Sequence, residues 1–280
     1  MNINKNYKNI LEDVLDNGAV YTNERRAVRR RQIPSYTFRH NFEDGFPVIG
    51  LKKLPYKMVV AELLWFLNGD NTLEFLHKHN CHIWDDDAKN WEKKTGEKGS
   101  VGRNYSKQWR EYGGVIDQID LLVNGMNEDI MSSRLKVEAW NPMEIDDTAL
   151  PPCHTGFQII GVPLPNKDFG FELHWNQRSV DLFLGLPFNI ASYATLAIIL
   201  EKITGFKALA IQGDLKCVHL YHNSIEASRT IIKRDCNFEK VALEISCNFN
   251  GDDLEPSSFN LINYKSHEAI KVEMIAPISL

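Results

Sequence analysis

Two short segments constrain this chain most. The first is Leu150-Pro151-Pro152-Cys153-His154, a lone cysteine between a proline pair and a histidine. The second runs from Gln177-Arg178-Ser179-Val180-Asp181 through Gly185-Leu186-Pro187-Phe188-Asn189 to Ala194. The prolines stiffen the approach to a thiol that can attack carbon. A thiolate is the competent nucleophile and needs a cation or backbone donors close by; Arg178 and His154 are the candidate neighbours. Within the second segment, arginine offers a two-pronged fork for phosphate and Ser179 a further hydroxyl donor. Asn189 carries one acceptor and two donors, which matches the O4 and N3–H edge of a uracil.

A chain of 280 residues buries enough surface to need no covalent staples. The formal net charge of −5 gives no bulk attraction for a polyanion, so a dedicated nucleic-acid binder is not expected. The five cysteines, Cys81, Cys153, Cys217, Cys236 and Cys247, form no CxxC pair. Neither a disulfide framework nor a metal is expected, and a reducing, cytoplasmic setting fits. The N-terminus carries no apolar signal core. The apolar run 190–200 is short and interrupted by Ser192, Tyr193 and Thr195, so no membrane span is expected.

Apolar spacing predicts helices over 3–17, 57–68, 71–79, 114–126 and 189–204, with Gly18, Gly125 and Gly205 near their ends. Strands are expected over 135–140, 157–162, 171–175, 241–249 and 259–264, and Asp44-Gly45 signals a hairpin within 33–53. The polar stretch 85–100 reads as an exposed loop. Helices and strands mix without strict alternation, the mark of a single α+β domain over 1–280.

Seven motifs in order carry a resemblance to a known family. They are Glu62 to Leu67, Ile83-Trp84-Asp85, Tyr105 to Arg110, Ala139-Trp140-Asn141-Pro142, Leu150 to His154, Gln177 to Ala194 and His219-Leu220-Tyr221. The chain resembles the thymidylate synthases from about residue 7 to 276. The resemblance implies a large mixed twisted sheet covered by helices, its other face packed in a homodimer. It implies addition of Cys153 to C6 of dUMP, attack of C5 on the methylene of 5,10-methylenetetrahydrofolate, and hydride reduction to dTMP and dihydrofolate. Such addition is needed because C5 of a pyrimidine is a poor nucleophile until the ring becomes an enolate. Glu62, Tyr105 and His154 are implied in proton transfer through water. Arg25, Arg178 and Ser179 are implied at the phosphate, Arg134 at the partner's phosphate, Asn189 at the base, and His219 and Tyr221 at the 3′-hydroxyl. For the folate the implied residues are Lys52, Trp84, Leu150, Asp181 and Gly185.

The chain also departs from that pattern. Arg26-Ala27-Val28-Arg29-Arg30-Arg31 stands where the family alternates Thr and Gly, and Ser133-Arg134 replaces an arginine pair. Arginines of the new cluster are therefore candidates to compensate. Asp87 replaces a tryptophan near the folate, the interval Gly213–His219 is long, and the tail runs on to Pro277-Ile278-Ser279-Leu280. A looser seal would let water compete with hydride for the exocyclic methylene. The second expectation is thus a hydroxymethylase giving 5-hydroxymethyl-dUMP and tetrahydrofolate. A third, distant one is a non-catalytic nucleotide or RNA binder using Arg25 to Arg31.

Overall fold

The computed structural model describes residues 2–23, 28–247 and 254–273. Its centre is a seven-stranded mixed sheet. Strand β1 (Ala19–Asn23) pairs with β2 (Val28–Asn41), followed by β7 (Lys207–Tyr221), β5 (Phe169–Gln177), β4 (His154–Pro163) and β3 (Lys136–Glu138). The short β6 (Val180–Asp181) lies beside the end of β7. A separate two-stranded sheet joins β8 (Ala242–Ile245) to β9 (Phe259–Ile262).

Cross-strand register explains which face is covered. Phe38, Gly213, Trp175, Phe157 and Val137 stand opposite one another in one row, and all are buried. The neighbouring row is Arg39, Gln212, His174, Gln158 and Lys136, and Arg39 reaches Glu172 with Nε at 3.0 Å. Since side chains alternate along a strand, one face is apolar and the other polar. In the apolar row Gly213 is a packing requirement. A Cβ there would lie 2.7 Å from the Trp175 ring and 2.8 Å from Phe38.

Helices cover the apolar face. Helix α1 (Ile3–Asn17) buries Ile10, Leu11, Val14 and Leu15, and the Asn2 side chain caps it by accepting from the Asn4 N–H. Helix α2 (Tyr56–Asn68) ends at Gly69 with φ 71°, a left-handed cap. After the short α3 (Glu74–Lys78) comes α4 (Asp85–Thr95), where an exposed loop was expected. Trp84, Ala88 and Trp91 are buried there at helical spacing, a signal masked by the surrounding Asp and Lys. Helices α5 (Tyr105–Arg110) and α6 (Gln118–Glu128) follow.

Helix α7 (Gly185–Thr204) begins four residues earlier than its apolar periodicity indicates. It packs on α2, α6 and β7. Among the described residues it is the one helix long and apolar enough to cross a membrane, but most of it is buried inside the protein, as in a core helix. Helix α8 (Ile225–Lys233) packs against α1. The hairpin expected around Asp44-Gly45 does not form. Strand β2 instead pairs with β1 and β7, and residues 46–55 continue without a strand.

Pairing along β7 is interrupted where β5 gives way to β6. Gln177 pairs with Leu215 and Val180 with Val218, so Arg178-Ser179, between β5 and β6, stand opposite Lys216-Cys217 without pairing to them, while β7 runs on unbroken and Lys216 keeps its partner Ser35 on β2. Cys217 there has φ 45°. The long Gly213–His219 interval spans this break in the pairing with β5 and β6.

Substituting Gly213 by alanine should destabilise the protein by about 1–3 kcal/mol through overpacking, and Trp175→Ala by about 3–5 kcal/mol through a cavity. The double variant should lose less than the sum, because each change relieves the other. Urea unfolding measures this; strict additivity would refute the contact.

Candidate active site

Cys153 sits at the mouth of β4 in a turn pinned from three sides. The Arg178 N–H donates to the Cys153 carbonyl at 2.8 Å. The Arg178 guanidinium donates from Nε to the Pro152 carbonyl at 2.7 Å and from Nη2 to the Pro151 carbonyl at 2.9 Å. The Cys153 N–H donates to the Tyr105 hydroxyl at 2.7 Å. Arg178 also lies 5.1 Å from the centre of the Trp140 ring. Two of the five guanidinium N–H groups thus serve the turn.

Electrostatics around the thiol correct one expectation. His154 was a candidate cation, but burial pulls its imidazole down to about 3, so it is neutral. Its Nδ1 lies 2.8 Å from the Tyr193 hydroxyl, and its ring stacks on Tyr105 at 4.1 Å. Arg178 is the remaining cation. Burial pushes the Cys153 thiol up, Arg178 pulls it down, and the charges of Asp87 and Asp181 push it up again. The resting group is therefore a thiol.

Glu62 on α2 stands behind this turn. It is only partly covered, yet its carboxyl is closely surrounded. Burial raises it to about 7, opposed by the Trp84 indole N–H at 2.8 Å. Trp84 in turn packs on Trp65 at 5.6 Å and on Tyr105 at 6.1 Å. Phe66 touches Tyr105 at 4.9 Å, so Glu62 and Cys153 are connected through one aromatic layer. Asp87, three residues beyond Trp84, is raised to about 6 by burial and by Asp86.

The second segment gathers around the start of α7. Asp181 accepts from the Phe183 and Leu184 N–H groups at 2.9 and 3.2 Å, which fixes the turn into the helix. Gly185 lies between Asp181 and Asn189. A Cβ on it would meet the Asp181 Cβ at 3.7 Å and the Asn189 Oδ1 at 3.8 Å. Gln177, which the sequence reading quoted without a role, donates from Nε2 to the Asn189 Oδ1 at 3.1 Å and is held by the Trp175 indole. Ser179 is half-buried, and its carbonyl accepts from the same Gln177 amide. Leu150 is half-buried at the entrance to the Cys153 turn.

Lys52 points inward. It donates to the Phe183 carbonyl and lies 4.1 Å from the Phe183 ring centre. Burial lowers its ammonium to about 8, partly offset by Asp181. Lys52, implied at the folate, is thus buried, with its ammonium turned to the Phe183 carbonyl. Arg134 is exposed in the turn before β3. Arg25 lies outside the described residues.

His219 stands opposite Asp181 across the β6–β7 pair. Its Nδ1 is 2.7 Å from the Cys217 carbonyl, so Nδ1 carries the proton and Nε2 keeps its lone pair. Burial holds the ring at about 4, hence neutral. Among the described residues its Nε2 is buried without a hydrogen-bond partner. Arg30 Nε and Gln32 Oε1 share that condition, and they face Tyr221 and His219 on the adjoining strand. Sequence reasoning treated 25–31 as one cluster. The sheet divides it: Arg30 sits with His219 and Tyr221, Arg31 turns to the Leu15 carbonyl, and Arg29 is exposed. A separate cleft of about 650 Å³, lined by Arg39, Phe46, Glu201, Lys207 and Lys240, contains none of these groups.

A pinned thiol with a cation close by, and a carboxyl raised by burial and linked to it through Tyr105 and Trp84, make up the kind of site that covalent catalysis by cysteine needs. The family model described as Thymidylate synthase matches residues 5–276, and the chain belongs to that family. The family's reaction is a folate-dependent one-carbon transfer to dUMP, with methylenetetrahydrofolate as co-substrate.

Alkylation of Cys153 by iodoacetamide near neutral pH reports its thiolate. Asp87→Asn should speed it, because one opposing charge is removed, and Arg178→Gln should slow it. Equal rates in all three proteins would show that neither charge reaches the sulfur.

Proposed function

We propose that the protein transfers a one-carbon unit to C5 of dUMP through a bond between the Cys153 sulfur and C6, giving dTMP and dihydrofolate. The observation that carries this is the Arg178–Cys153–Tyr105 arrangement with Glu62 behind it. The thiol of Cys153 loses its proton as it adds to C6, and the charge passes to C5 and O4. Arg178 is the cation that favours the thiolate. Glu62, half-ionised near pH 7, is suited both to give and to take a proton by way of water. Tyr105 and His154 hold that water network in place as neutral groups.

The nucleotide fits the unpartnered atoms. Asn189, set by Gln177, reads the uracil edge. The His219 Nε2 lone pair accepts from the deoxyribose 3′-hydroxyl beside Tyr221. Arg178 and Ser179, with Arg25, receive the phosphate, and Arg134 belongs to the partner's site in a homodimer. The uncovered polar sheet face is the surface for that pairing. Asp181 and Gly185 suit the pterin, with Trp84 and Leu150 as apolar wall. The folate supplies the carbon and, for dTMP, the hydride.

One observation favours a second reading. Asp87 is close enough to act on the Cys153 charge where the family resemblance sets a tryptophan. A carboxyl there supports water in the folate wall, and water would capture the exocyclic methylene as 5-hydroxymethyl-dUMP, releasing tetrahydrofolate.

Turnover of dUMP with methylenetetrahydrofolate separates the readings by product. The account expects dTMP with dihydrofolate; a hydroxymethyl nucleotide with tetrahydrofolate replaces it with the second. Cys153→Ser should abolish turnover, and Glu62→Gln should lower kcat by about 10²–10⁴-fold. Neither product, with nucleotide binding intact, would leave a binding protein.

The divided arginine cluster makes a further prediction. Arg30→Ala should raise the KM for dUMP by about tenfold, the loss of one charge-assisted contact, while Arg29→Ala leaves it unchanged. Equal KM values in both variants would remove Arg30 from the nucleotide site.

A further inference from the structure

We propose that His77, His82 and Asp85 form a binding site for one divalent transition-metal ion of the zinc or cobalt class, apart from the reacting centre. His77 comes near the end of α3, His82 from the connecting turn, and Asp85 is the first residue of α4. Their ligand atoms all lie within 4.8 Å of one another. The His77 Nε2 is 2.7 Å from Asp85 Oδ1, and the His82 Nδ1 is 3.1 Å from Oδ2. The two imidazole rings are 4.9 Å apart.

An ion with bonds of about 2.0–2.2 Å to nitrogen and oxygen holds tetrahedral ligands roughly 3.5 Å apart. The two nitrogen–oxygen separations are shorter than that and no pair exceeds 4.8 Å, so the side chains would move apart slightly to admit the ion. Two imidazoles and one carboxylate are a borderline donor set, suited to zinc, cobalt or nickel rather than magnesium or calcium. All three side chains reach solvent, which leaves a fourth position to water. Neighbouring charges are engaged elsewhere: Lys78 and His79 with Glu255, and Asp86 with Lys89. Four residues lie between His77 and His82, within the histidine spacing of zinc sites, but no CxxC pair accompanies them and a carboxylate completes the set.

Bound metal would tie α3 to the first turn of α4. Trp84, which donates to Glu62, lies between two of the ligands in sequence. The ion would brace the wall of the site without entering it.

Cobalt(II) titration of the whole chain tests the proposal, because its spectrum separates ligand types. A nitrogen–oxygen site gives d–d bands alone, whereas the five cysteines would add a thiolate charge-transfer band. The expected result is one equivalent bound with d–d bands alone, displaced by zinc. The affinity should fall at least about tenfold in the His77→Gln/His82→Gln pair, and also in Asp85→Asn. Both variants should fold as wild type in chelator, seen by circular dichroism. Bands that persist unchanged in these folded variants, or no binding by wild type, would overturn it. In that event the triad is closed by protons alone, each imidazole donating to the carboxylate.

Discussion

Arg178 holds the site together. Its backbone N–H fixes the Cys153 carbonyl, and its side chain fixes the carbonyls of both preceding prolines. One residue thereby sets the direction of the nucleophile and supplies the positive charge beside it. It can do so because β5 ends at Gln177, and Arg178-Ser179 leave the ladder before pairing with β7 resumes at Val180. Without that interruption Arg178 would continue the alternation of a regular strand. Pairing resumes with Asp181 opposite His219, so sheet geometry and site geometry have one cause.

Around this centre, burial sets the proton inventory. It keeps His154 and His219 neutral, raises Glu62 to about 7 and leaves Cys153 protonated at rest. Neutral histidines accept and donate hydrogen bonds without adding charge to the site. A carboxyl poised near neutrality moves protons in both directions with little energetic bias. An aromatic layer of Phe66, Trp84, Tyr105, His154, Tyr193 and Trp175 carries the rigidity of the core to these groups. Preorganisation of this kind is what covalent catalysis requires of its surroundings.

The helices α1 and α2 were legible because their apolar spacing is clean. So were the strands β4 and β5. The segment 85–95 was not, since Asp and Lys outnumber Ala88 and Trp91, the two residues that face the core. The central strand β7 was missed because Gly213, Asp214 and Lys216 break its alternation; Gly213 is small only because Trp175 and Phe38 occupy its space. Within the site, residue types and order pointed to Cys153, Glu62, Arg178 and Asn189. What spacing cannot convey is direction. It gave no sign that Lys52 turns inward, that Gln177 sets Asn189, or that Arg30 and Arg31 go to opposite faces.

The central claim is that the sulfur held by Arg178 bonds to the pyrimidine. Mass spectrometry of the protein incubated with 5-fluoro-dUMP and methylenetetrahydrofolate tests it most directly, since fluorine at C5 cannot leave as a proton does. The account predicts a stable adduct of nucleotide and folate on the peptide containing Cys153, absent in Cys153→Ser. An unmodified Cys153 peptide under saturating ligands, or an adduct on another cysteine, would contradict it.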